Sequence, residues 1–180
     1  MRFLSVFIFK IIGWKVVGTF PADLNKYIVA VAPHTSNWDF VIGILARSVT
    51  RLTESKFLGK SALFKPPYGW FFRWLGGYPV DRTTHHDMVK QVAGYFHAHD
   101  HFIVAIAPEG TRKKVEKMKT GFYYIAKEVG VPIVPVGIDF SKKSVIIDQP
   151  FYPTGAVEED MNHLLAFYRS LKGRNPELGL

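Results

Sequence analysis

The apolar positions of this chain fall into short unbroken runs, set apart by longer stretches in which apolar residues recur every three or four positions. The runs at Tyr27 to Ala32, Tyr78 to Asp81, Phe102 to Ala107, Ile133 to Ile138 and Ser144 to Asp148 are rich in β-branched residues and predict buried strands. The stretches between them predict helices from Asn37 to about Thr50, Thr84 to about His97, Gly121 to Val129 and Val157 to Leu171. Such alternation predicts an α/β fold, a mixed and largely parallel sheet flanked by helices. Local signals agree. Thr84 and Asp87 have capping-box spacing, Met88, Val89, Val92 and Phe96 share one helical face, and Gly130 stands where a left-handed residue would end the next helix. No repeat, low-complexity tract or linker interrupts the 180 residues, so one folding unit is expected.

The first seventeen residues are strongly apolar, yet Lys10 and Lys15 interrupt them. Spanning a bilayer takes roughly 20 apolar residues, more than this run offers. On a helical wheel Arg2, Ser5, Lys10 and Gly13 share a narrow stripe that leaves a wide apolar arc, and Lys15 lies outside the stripe. The pattern predicts an N-terminal amphipathic helix within residues 1–20 that lies in a membrane interface, with packing on the domain as the alternative fate of such a face. No small-x-small pattern closes the stretch as a signal-peptide cleavage site would.

Composition narrows the partners. Lys and Arg number 23 against 15 Asp and Glu, a net charge of +8 that attracts phosphorylated small molecules, acidic lipid headgroups or nucleic acid. Fifteen Phe, eight Tyr and four Trp suit a membrane interface as well as a core. The absence of cysteine excludes disulfides, thiolate metal sites and a cysteine nucleophile.

Three polar sites follow the C-terminal ends of predicted strands: His34, Arg82, and Glu109 to Arg112. That edge of an open α/β sheet is where loops converge on a ligand crevice. A neutral imidazole at His34 can take a proton from a hydroxyl if a neighbour fixes its tautomer, and Asp39, five residues on in the first turn of a predicted helix, can turn back to do so. Ser36 and Asp39 also have capping-box-like spacing, so Asp39 has a purely structural alternative. In Glu109-Gly110-Thr111-Arg112 the Arg fork suits phosphate and Gly lets the backbone approach a ligand closely; Glu109 can orient Arg112 or receive a substrate hydroxyl.

Four ordered blocks, His34-x4-Asp39, Gly77-x4-Arg82, Pro108 to Arg112 and Val131-Pro132-Ile133-Val134-Pro135, together resemble the glycerolipid acyltransferases, the group that includes 1-acylglycerol-3-phosphate acyltransferase. The resemblance spans roughly residues 30 to 138. It implies an acyltransferase domain over residues 21–180 that moves a fatty acyl group from acyl-CoA or acyl-carrier protein to the hydroxyl of a lysophospholipid. It implies His34 as general base and Asp39 as its partner. Arg82, Glu109, Gly110, Thr111 and Arg112 would bind the acceptor, Lys60 would add charge nearby, and Val131 to Pro135 would support the groove. No cofactor beyond the donor thioester and no metal is expected, nor any nucleic acid. The expected location is peripheral, on the cytoplasmic face of the cell membrane, against anionic lipid. Pro33 stands where members often carry Asn, the second block reads Gly-Tyr-Pro-Val-Asp-Arg over Gly77 to Arg82 rather than an aromatic-Ile-Asp/Asn-Arg type, and Ala107 replaces a frequent Phe, so acceptor identity stays open.

Without a Gly-x-Ser-x-Gly elbow, direct transfer is expected rather than an acyl-serine intermediate. A hydrolase using the same His-Asp pair on water, and a non-catalytic module for anionic membranes, are the competing classes. Gly59-Lys60-Ser61 lacks the first Gly and the context of a phosphate loop, and the histidines at 85, 86, 97, 99 and 101 lack compact metal-ligand spacing.

Overall fold

The computed structural model describes residues 2–80 and 85–179, with side chains for all of these but 85–87. Its helices are α1 (Arg2–Ile11), α2 (Trp38–Val49), α3 (Gly69–Trp74), α4 (His85–Ala98), α5 (Gly121–Val129) and α6 (Val157–Arg169). Its strands are β1 (Lys15–Val17), β2 (Lys26–Ala32), β3 (Lys56–Lys60), β4 (Gly77–Val80), β5 (Phe102–Ile106), β6 (Ile133–Asp139) and β7 (Ser144–Ile147). The seven strands form one sheet in the order β1-β7-β6-β2-β5-β3-β4, parallel throughout except for the antiparallel β6–β7 pair.

Both faces of the sheet are covered, which is why its central strands read as continuous apolar runs. Successive side chains of β2 go to opposite faces. Ile28, Ala30 and Ala32 join the core under α4, α5 and α6, with Phe96, Phe122, Ile125 and Leu164. Tyr27 and Val29 join a second core under α1 and α2, with Phe9, Ile42 and Ala46. The Tyr27 hydroxyl is pushed up to about 12 by burial.

The expected α/β architecture is present, and apart from the N-terminal helix each expected strand and helix appears over the described residues with ends shifted by no more than two positions. The Thr84–Asp87 capping box, Asp81 at the end of the second expected strand, and the side chains of His85 and His86 lie outside the described residues. Three elements escape the sequence pattern. β3 is a five-residue strand bracketed by lysines, α3 has six residues, and β1 lies inside the segment expected to be helical. That last expectation is corrected: the N-terminal helix stops at Ile11, the chain turns at Gly13, and Lys15–Val17 joins the sheet beside β7. A division at residue 20 therefore does not separate helix from domain, since β1 belongs to the sheet. The α1 helix turns Ser5 and Phe9 inward and leaves Phe3, Leu4 and Phe7 exposed. Among the described residues no helix is long and apolar enough to cross a membrane.

Candidate active site

Strands β2 and β5 are parallel neighbours, so the loops that follow them leave the same edge of the sheet, side by side. The first loop carries His34 and the second Glu109. The backbone N–H of His34 donates to both carboxylate oxygens of Glu109, each at 3.1 Å. Two sequence motifs 75 residues apart are thus joined through one buried group.

Glu109 is fully buried. Burial pushes its carboxyl above the ordinary glutamate value; the His34 N–H bond and the charge of His34 oppose the shift, and Asp39 adds to it. Of the two roles weighed for Glu109, orienting Arg112 or receiving a substrate hydroxyl, the first is not seen: its oxygens face the His34 amide. Arg112 is exposed and, among the described residues, forms no ion pair.

The ring of His34 meets Asp39 from the other side, with Nδ1 3.3 Å from Oδ2. Asp39 also accepts the backbone N–H of Ser36 at 2.7 Å, and Ser36 Oγ accepts the N–H of Trp38 at 3.0 Å. One carboxylate thus makes contacts of both kinds weighed for Asp39: it accepts an N–H just before α2 and, being nearly fully buried, stands beside His34 Nδ1. Asp39 stands on the Nδ1 side of the ring, and Nε2 is its other nitrogen, on a side chain one quarter exposed.

Gly110 adopts φ +67, a left-handed conformation open to glycine at little cost. A Cβ there would stand 3.1 Å from Cδ, Cε and Nζ of Lys119, so the Lys119 side chain lies across the Gly110 turn. The N–H of Lys119 donates to Pro108 O at 2.9 Å and closes the neck of the loop. Between neck and tip, Arg112, Lys113, Lys114 and Lys117 are exposed, while Thr111 is half-buried with its hydroxyl accepting the N–H of Lys113. Lys60 ends β3, next to β5, and projects exposed at the same sheet edge. Arg82 lies outside the described residues. Val131 to Pro135 enters β6, beside β2, and underlies the site without lining it.

Sequence reasoning missed two supports. Lys119 is one lysine in a basic run and no spacing singles it out. The segment after α6 reaches back across the chain: Asn175 donates its backbone N–H to Thr35 Oγ1 at 3.2 Å and its side-chain amide to Thr35 O at 3.0 Å. Arg174 stacks over Trp38 at 5.1 Å. These contacts clamp the buried Thr35, next to His34, and only the fold brings them together.

From His34 and Asp39 an apolar cavity of about 210 Å³ runs between α2 and the sheet. Phe40, Gly43 and Ile44 form its helical wall, and Val29, Val31, Ala105, Val136 and Ile138 its sheet wall. Arg47 reaches its far part, where burial lowers the guanidinium pKa and Nη1 donates to Ser55 O and Leu75 O.

Comparison with known proteins identifies the family and the fold. The family model described as Acyltransferase matches residues 14–139. The chain is 28% identical over 145 residues to proteins named 1-acyl-sn-glycerol-3-phosphate acyltransferase from Salmonella typhimurium and Escherichia coli, covering 76% of this chain and 58% of each relative. It thus spans little more than half the length of the curated relatives it matches. The crystal structure of the 1-acyl-sn-glycerophosphate (LPA) acyltransferase PlsC from Thermotoga maritima superposes with a TM-score of 0.59 at 24% identity, covering 94% of this chain and 75% of that one, and so shares its fold.

Proposed function

The chain belongs to the Acyltransferase family, and we propose that it moves a fatty acyl group from a thioester donor, acyl-CoA or acyl-carrier protein, to the hydroxyl of a lysophospholipid such as 1-acylglycerol-3-phosphate. One observation carries this reading: a His-Asp pair stands at the mouth of an apolar cavity, so a base and a compartment for an acyl chain meet at one point. The acceptor comes from the names of the relatives, and the exposed cations Lys60, Arg112 and Lys119 at the same sheet edge supply chemistry suited to its phosphate.

In the proposed reaction Nε2 of His34 removes the acceptor hydroxyl proton as the oxygen attacks the thioester carbonyl. The Asp39 carboxylate, beside Nδ1, balances the positive charge that develops on the ring. Backbone N–H groups or the Lys119 ammonium stabilise the oxyanion. The tetrahedral intermediate then breaks its carbon–sulfur bond, the imidazolium returns the proton to the departing thiolate, and the ester and free thiol leave. Glu109 acts through the His34 backbone and holds the loop while its neighbours change charge. The step needs no cofactor. The enzyme would work at the cytoplasmic membrane surface, where the lysolipid acceptor resides, with α1 as an interfacial anchor.

Thiol release measured with and without lysolipid acceptor tests the reading. Release that depends on acceptor and yields a diacyl product supports transfer; acceptor-independent release identifies a hydrolase and overturns it.

A further inference from the structure

Of the large apolar side chains exposed among the described residues, all but Val17, Tyr124 and Tyr152 lie on α1, on α2 or between Ser61 and Trp74. These segments share one face of the sheet. Phe9 of α1 and Ile42 of α2 enter the same core, and Phe40 of α2 meets Phe57 of β3 edge to face at 5.3 Å. Two residues along β3, Gly59 points the same way. A Cβ on Gly59, or on Gly77 of β4, would stand 2.8 Å from the Phe64 ring. The paired glycines form a notch that seats Phe64, and the short segment from Ser61 to Trp74 is pinned there by its one buried aromatic. Phe72 packs edge to face on Phe64, and four other aromatics project outward: Tyr68 and Trp70 are each 70% exposed, Trp74 61% and Phe71 42%.

Charge follows the same division. Residues 1–80 hold ten Lys and Arg against Asp23, Asp39 and Glu54, a net of +7 out of the whole chain's +8. No carboxylate occurs before Asp23 or between Glu54 and Asp81, and Asp39 is buried in the site. The helical layer is therefore both aromatic and of one sign.

We infer that the segment from Leu63 to Trp74 is a second bilayer-docking surface, at the other flank of α2 from α1, and that the two seat the α1–α2–α3 layer on an anionic leaflet. Trp and Tyr favour the depth of the headgroups, where an apolar ring and a polar edge are both satisfied. Lys65 and Lys10 beside them meet the negative leaflet. A second copy of the chain would press one basic layer against another, so lipid is the occupant that the charge fits. The apolar cavity then lies between the sheet and the docked layer, one helix away from lipid.

The test uses the full chain and vesicles free of acyl donor and acceptor, so its result is independent of the catalytic reading. Co-sedimentation is measured with phosphatidylcholine vesicles, alone or mixed with phosphatidylglycerol. The wild type should partition to the anionic vesicles and be released by salt. The pair Trp70→Ala with Trp74→Ala should lower partition at least about tenfold, and Lys65→Gln, which disturbs no buried contact, about fivefold. Wild-type binding unchanged by both variants would overturn the inference. So would a wild-type dimer in light scattering that the Trp pair converts to monomer, because a second copy would then cover the surface. Should the Trp pair fail to fold, acyl-chain-brominated vesicles read the wild type directly: strong quenching of tryptophan emission supports docking, and unquenched emission excludes it.

Discussion

Glu109 directs both carboxylate oxygens at the backbone N–H of His34 and Asp39 directs one at the ring, so two buried acids fix the imidazole from behind and beside. Each has its own signature. Burial holds the Glu109 pKa above its unfolded value, so the folded state retains a proton that the unfolded chain has lost. Stability should therefore fall as pH rises from the ordinary glutamate value to the raised one, then level off. Glu109→Gln should flatten that segment of the curve in urea melts at stepped pH; an unchanged slope would show that Glu109 is not its source. Asp39→Asn keeps the shape but removes the charge that balances an imidazolium, and kcat for acceptor-dependent thiol release should drop about a hundredfold or more with KM little changed. Both roles of Asp39 were legible in the sequence, because helix capping and His orientation are local to five residues. The Glu109–His34 bond was not, since it depends on β2 and β5 becoming neighbours in the sheet.

At the scale of elements, α2 and the segment after α6 shape the site. Gly43 lies on the cavity wall, and a Cβ there would meet nothing within 4 Å. Gly43→Leu should stabilise α2 by up to about 1 kcal/mol through helix propensity and, by filling the cavity, shift donor preference toward shorter acyl chains. Melting temperature and a donor-length series read the two effects, and an unchanged length preference would place the acyl chain elsewhere. Asn175→Ala removes the amide that holds Thr35 O, leaving a buried carbonyl with a weaker partner, and should cost about 1 kcal/mol. It should also reduce kcat by loosening the His34 loop, which steady-state kinetics on the folded variant would detect. Strands and helices with long periodic patterns were readable from apolar spacing alone. The exceptions, β1, β3 and α3, are too short to establish a period, and β3 and α3 take their places through Phe64 and its glycine notch rather than through their own pattern.

Across the whole molecule, a mostly parallel sheet divides two environments. One face carries α4, α5 and α6; the other carries the aromatic, basic layer beneath which the apolar cavity runs, and the loops of the candidate site leave the sheet's C-terminal edge between them. The +8 charge and the aromatic excess were visible in the composition, but the gathering of exposed aromatics emerges only when α1, α2 and the segment from Ser61 to Trp74 pack on the same face of the sheet. The role proposed for His34 is that of the base that activates a lipid hydroxyl for acyl transfer. Its most direct measurement is product formation by wild type and His34→Ala, from acyl-CoA and 1-acylglycerol-3-phosphate, read by mass spectrometry alongside a melting curve. The account predicts diacyl product from the wild type and a loss of at least about a hundredfold in a variant that melts normally. Near-normal transfer by folded His34→Ala would contradict it.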